Sequence, residues 1–126
     1  MPLTLWCVLI AGLLPILTVG LAKWSDRGFD NANPRGWAEG LSGWRKRAVA
    51  AQQNGFEVFT LFAAAALVAV TQGANLATAN ALAVAFILLR VAYVACYLAD
   101  RPTLRSGAWS LGFFATVALF TSPAWS

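Results

Sequence analysis

Hydrophobic positions along the chain fall into four long runs separated by polar stretches. Residues 3–22 (LTLWCVLIAGLLPILTVGLA) hold no charge and end at Lys23. A second run covers about 46–71 and is interrupted by one charge, Glu57. After Gln72–Gly73–Ala74–Asn75, a third covers about 76–98 with one charge, Arg90. The fourth, about 107–122, has none and stops near Pro123. About 20 apolar residues suffice to cross a bilayer core. Strict apolar–polar alternation, the mark of a membrane barrel, is absent, and the runs are too long for strands. The pattern therefore predicts an all-α integral membrane four-helix bundle, with four transmembrane helices in one domain over residues 1–126. A bend is expected at Pro15, tolerable where neighbouring helices satisfy the freed carbonyl. The first run is expected to be retained, because Met1–Pro2–Leu3–Thr4 lacks the basic start of a cleaved signal.

Composition strengthens this reading. The chain is 60% hydrophobic and 11% charged, against about 25% charged in average soluble domains. An ordinary soluble domain is excluded. Charge placement then predicts orientation. Lys23, Arg27, Arg35, Arg45, Lys46 and Arg47 cluster between the first and second runs, and Arg101 and Arg105 between the third and fourth. The turn at 72–75 and both termini carry no Lys or Arg. The positive-inside rule puts the 23–45 loop and the 99–106 connection in the cytoplasm, with both termini outside. Trp24, Trp44 and Trp109 then fall near the inner interface, Trp6 and Trp125 near the outer one. The loop cations read as topology signals, and no nucleic-acid partner is expected.

Several chemistries are excluded. With no histidine in the chain, HExxH zinc sites, Ser-His-Asp triads and histidine-ligated haem are ruled out, and no metal site is expected. Cys7 and Cys96 lie near opposite ends of their helices, too far apart for a disulfide's Cα separation of about 5.5 Å.

The buried polar residues carry what chemistry remains. At 1.5 Å per residue, Glu57 lies about 16 Å and Arg90 about 12 Å from the same side of the membrane. Each charge alone costs about 2.5–3.5 kcal/mol at the bilayer centre, so a Glu57–Arg90 pair is expected. Helical spacing puts Arg47, Asn54 and Glu57 on one face of the second helix, and Arg90, Tyr93, Tyr97 and Arg101 on one face of the third. With Arg105 and Ser106 at the start of the fourth helix, these stripes predict a basic, tyrosine-lined cleft open to the cytoplasmic side. Arginines there suit a peptide-like ligand bearing carboxylates. Helix-to-helix glue is the plainer use of the same residues.

Read in order, these motifs resemble the MAPEG family, the membrane-associated proteins of eicosanoid and glutathione metabolism. RAVAAQQNGFEVF (47–59) matches the family's Arg…Asn-x-x-Glu signature, RVAYVACY (90–97) its Arg-x-x-Tyr-x-x-x-Tyr, and RSGAW (105–109) its Arg-Ser. DNANPR (30–35) is similar to the bacterial branch. The resemblance implies a homotrimer in a bacterial inner membrane, with glutathione as thiol cosubstrate bound between neighbouring subunits. It implies glutathione contacts from Asn54, Glu57, Arg90, Tyr93 and Tyr97, with Arg47 on the same face available as another. It further implies thiolate stabilisation by Arg105 assisted by Ser106, with Arg101 the alternative cation. The activity implied is transferase or peroxidase chemistry on lipophilic substrates arriving from membrane lipid. Ala50 stands where better-known members carry arginine, Gln52 and Gln53 where histidine is frequent, and Val58 where one branch has an aromatic. Some members activate other proteins without catalysis, so a non-catalytic membrane protein is the alternative. A proton-coupled drug exporter fits poorly, because its essential acid is expected in the first span, which is uncharged here.

Overall fold

The computed structural model describes all residues, Met1–Ser126. Five helices and no strands make up the chain: α1 Leu3–Trp24, α2 Pro34–Glu39, α3 Gly43–Thr71, α4 Leu76–Leu98 and α5 Pro102–Trp125. Three of them, α1, α3 and α4, are long and apolar enough to cross a membrane. The 107–122 stretch lies inside α5, whose 24 residues extend about 36 Å. Ser, Thr and Gly residues leave its most apolar membrane-length stretch less apolar than those of the other three long helices.

Small residues let the four long helices approach closely. The core joins Ala11, Ala65, Ala66, Ala69, Ala74, Ala79 and Ala83 with Cys7, Leu119 and one aromatic pair. In that pair Phe62 of α3 and Phe86 of α4 stack with centroids 3.9 Å apart. Within a bilayer, apolar side chains gain little by leaving lipid, so close backbone approach and dispersion contacts hold helices together. Pro15 follows the same logic. Helix α1 runs continuously through it, and its ring is received by Gly55 of α3, where an added Cβ would stand 2.6 Å from the Pro15 Cγ.

Buried hydroxyl groups in these helices are satisfied locally. The Thr18, Thr116 and Ser122 hydroxyls donate to carbonyls three or four residues earlier in their own helices. Asn80 of α4 accepts from both the Thr4 amide (3.0 Å) and the Thr4 hydroxyl (2.7 Å), anchoring the start of α1. Asn75 caps α4 through the Thr78 amide. Gly73, at φ +80°, makes the tight α3–α4 turn, a conformation that costs a Cβ-bearing residue energy.

Eight of the nine cations lie at the opposite end of the bundle, called here the basic end; Arg90 is the exception. The loop between α1 and α3, expected as a plain connection, is a folded cap there. Asn33 accepts from the Gly36 amide and Pro34 opens α2, the helix-start pairing of an N-cap with proline at the next position. The Trp37 indole N–H donates to Asp26 at 2.7 Å and its ring meets Phe29 edge-on at 5.0 Å. Arg45 donates to the Ser25 carbonyl. The short α4–α5 link turns at Asp100, whose φ is +58°.

Candidate functional site

Three helices converge below the basic end to form two adjoining clefts. Helices α3 and α4 bring their polar stripes toward α5, as the i, i+3 and i+4 spacing requires. The deeper cleft, about 220 Å³, is lined by Asn54, Glu57 and Leu61 of α3, Arg90 of α4, and Phe113 and Thr116 of α5, among others. The shallower one, about 170 Å³, is lined by Tyr93, Arg105, Ser106, Trp109 and Ser110. Trp109 belongs to both.

Cations and phenol rings alternate along this surface. The Arg90 guanidinium carbon sits 4.0 Å from the Tyr93 ring centroid, and that of Arg105 sits 4.5 Å from the Tyr97 ring. Between them the two tyrosine rings meet nearly perpendicular, centroids 5.7 Å apart. Each cation thus faces the electron-rich side of a ring, which is worth about 0.5–2 kcal/mol and leaves the guanidinium donors unused.

Arg90 departs from the sequence expectation. It is 4% exposed, yet both of its Nη atoms lack any acceptor in the protein. Glu57 is not its partner, although the two depths match; the carboxylate side chain is exposed on α3. Both residues nevertheless line the deeper cleft. Arg90 also borders a void of about 10 Å³ with Pro15, Ala51 and Gly55, whereas Glu57 does not line that void and is exposed. Asn54 Oδ1 is likewise buried without a donor. An unmet guanidinium and an unmet amide therefore converge on one cleft. Buried polar groups left in this state are costly, by about 1–3 kcal/mol each and more for a charge.

The remaining predicted residues are distributed unevenly. Arg105 is half-buried and Ser106 exposed at the shallow cleft. Tyr93 is buried there, and Tyr97 lies beneath Arg105. Arg47 is engaged elsewhere: its Nη2 donates to the Leu98 carbonyl at 3.2 Å, tying α3 to the end of α4. Arg101 is exposed and lines neither cleft, while Arg105 lines one.

Sequence reasoning missed the α5 wall beyond Ser106. Trp109, Gly112 and Thr116 continue the face of Arg105 at +4, +3 and +4, so the signal was present. It was masked because a tryptophan near a span's end reads first as an interfacial anchor.

No curated protein and no solved structure matches the chain. The MAPEG family model matches residues 3–125, nearly its whole length. The chain belongs to the MAPEG family.

Proposed function

We propose that this protein is a glutathione-dependent transferase or peroxidase of a bacterial inner membrane. In this reading α5 is a fourth span, both termini lie outside the cytoplasm, and the protein is a homotrimer. The observation that carries it is Arg90: a buried guanidinium with two free Nη atoms, beside an unmet Asn54 amide. Such a pair fits a carboxylate held bidentately together with a peptide N–H. Glutathione supplies both groups along with a thiol. The exposed Glu57 carboxylate, part-way along a long apolar helix, supports the trimer, since a membrane-embedded charge needs a polar partner that the single chain does not provide.

The residues fit the chemistry. Arg90, Asn54 and Glu57 hold the peptide, and Tyr93 and Tyr97 support it from α4. Arg105 and Ser106, in the adjoining cleft, face the sulfur. A free thiol ionises near pH 8.5, and a neighbouring cation lowers that, so Arg105 favours thiolate at neutral pH while the proton leaves to water. The thiolate's electron pair forms a bond to the carbon of a lipophilic electrophile as the leaving group departs with the other pair. No histidine base is required. Titrating the detergent-purified trimer with glutathione at neutral pH tests this: saturable thiolate absorbance in the ultraviolet is expected, and its absence overturns the reading.

The packing role of Arg47 favours a second reading, a non-catalytic membrane protein whose polar stripes hold helices and subunits together. It requires that Glu57→Gln and Arg90→Gln weaken the trimer while the wild type binds no thiol.

A further inference from the structure

A third cleft, of about 370 Å³, opens between α1, the cap helix α2 and α3. It shares no lining residue with the two clefts beside α5. Lys23 of α1 and Arg35 of α2 bring cations to it, Gln52 and Gln53 of α3 bring amides, and no carboxylate lines it. Asp26 of the cap is engaged by the Trp37 indole and the Gly28 amide. The Lys23 Nζ rests 5.2 Å from the Phe29 ring centroid, a contact that leaves its donors free. Two cations with no acid between them call for an anion.

The depth of each group narrows the choice. The contact of Pro15 with Gly55 fixes the register of α1 against α3. At 1.5 Å per residue, Lys23 stands about 12 Å from that crossing toward the basic end, Gln52 and Gln53 about 3–5 Å, and Ile16 and Phe56 about level with it. Ile16 and Phe56 are exposed and continue the faces of Val19 and Gln53 by three residues. From the basic end inward the order is cation, amide donor, apolar surface. A free anion would use only the first level. A glycerophospholipid carries phosphate, ester carbonyls and acyl chains in the same order, and basic pockets between membrane helices suit anionic headgroups. We propose that this cleft binds the headgroup of an anionic glycerophospholipid, its phosphate between Lys23 and Arg35 and its ester carbonyls at Gln52 and Gln53. A choline headgroup would find no acid here for its ammonium. The site goes beyond the glutathione reading and does not depend on it.

Native mass spectrometry of the detergent-purified protein, titrated with phosphatidylglycerol or phosphatidylcholine of matched acyl chains, tests the site. The wild type is expected to bind phosphatidylglycerol at least about fivefold more tightly, the factor one cation contributes beside an anionic lipid. Lys23→Gln and Arg35→Gln should each cut that preference about three- to fivefold. Arg35 is exposed on the cap, so its variant carries the test if Lys23→Gln misfolds. Replacing Gln52 and Gln53 together by leucine should weaken both lipids alike, because both carry the ester carbonyls. Arg27→Gln, a loop cation outside the cleft, should change the preference by less than about twofold. No preference in the wild type, or an equal loss in Arg27→Gln, overturns the proposal. Displacement of bound phosphatidylglycerol by inorganic phosphate would show a plain anion site, and displacement by glutathione would assign the cleft to the thiol; either result overturns it too.

Discussion

Replacing Gly55 by alanine tests the tightest crossing in the bundle. A Cβ built there lies 2.6 Å from Pro15 Cγ and 3.1 Å from Pro15 Cβ. Carbon atoms prefer about 3.5–4.0 Å, so α1 and α3 must part by about 1 Å. The proline cannot yield by changing rotamer, because its ring is closed onto its own backbone. Parting the helices thins the contacts around Ala11, Ala51 and Val58, which surround the small void under Arg90. Overpacking of this kind costs about 1–3 kcal/mol, and alanine returns up to about 1 kcal/mol through helix propensity. A net loss of about 1–2 kcal/mol is expected by unfolding in mixed detergent micelles. Gly107→Ala is the control: nothing lies within 4 Å of its added Cβ, so only the propensity gain applies. A Pro15→Ala/Gly55→Ala double variant should recover part of the loss, giving a coupling above about 0.5 kcal/mol. Gly55→Ala as stable as Gly107→Ala, with no coupling to Pro15, refutes the reasoning.

Other expectations follow from the site and its cap. Arg105→Ala should abolish glutathione thiolate absorbance while Arg101→Ala retains most of it, because only Arg105 lines the cleft with Tyr93; equal losses would reassign the cation. The Trp37 indole, the Gly28 amide and Arg45 hold the Asp26 carboxyl below its ordinary value, near 3.9. The folded cap binds this proton less readily than the unfolded chain, so Asp26 stabilises above about pH 4 and the contribution fades as pH falls through that value. The stability difference between wild type and Asp26→Asn should accordingly close in acid; a gap that widens there contradicts the assignment. Asp100→Gly relieves a positive φ of 58° and should stabilise by about 0.5–1 kcal/mol in thermal unfolding; a lowered melting temperature contradicts this.

The helices were legible because membrane burial leaves long apolar runs, and because Gly73, Asn75 and Pro102 punctuate them at their ends. Asn54, Arg90, Tyr93 and Arg105 could be brought toward one place by spacing alone, since 3.6-residue periodicity fixes which residues share a face. Which side chains touch was not legible. Equal depth suggests that Glu57 meets Arg90, but depth does not fix side-chain pairing: the two line one cleft while the Arg90 Nη atoms stay unpaired. The cap over residues 25–42 was also hidden. Its order comes from Asp26, Phe29 and Trp37, a cluster whose spacing follows no helical or strand period.

The alanine core has a mechanical consequence. Alanine has no rotamers to explore, so the half of the bundle around Ala65, Ala69, Ala79 and Ala83 has one way to pack and loses no side-chain entropy in doing so. The clefts toward the basic end are lined instead by Arg90, Tyr93, Arg105 and Trp109, whose side chains have torsions to explore, and the Arg90 Nη donors are free. Rearrangement on admitting a ligand is therefore confined to side chains near the basic end, turning against an unyielding frame. Amide hydrogens of α3 and α4 in the alanine half should be the last to exchange, whatever occupies the clefts.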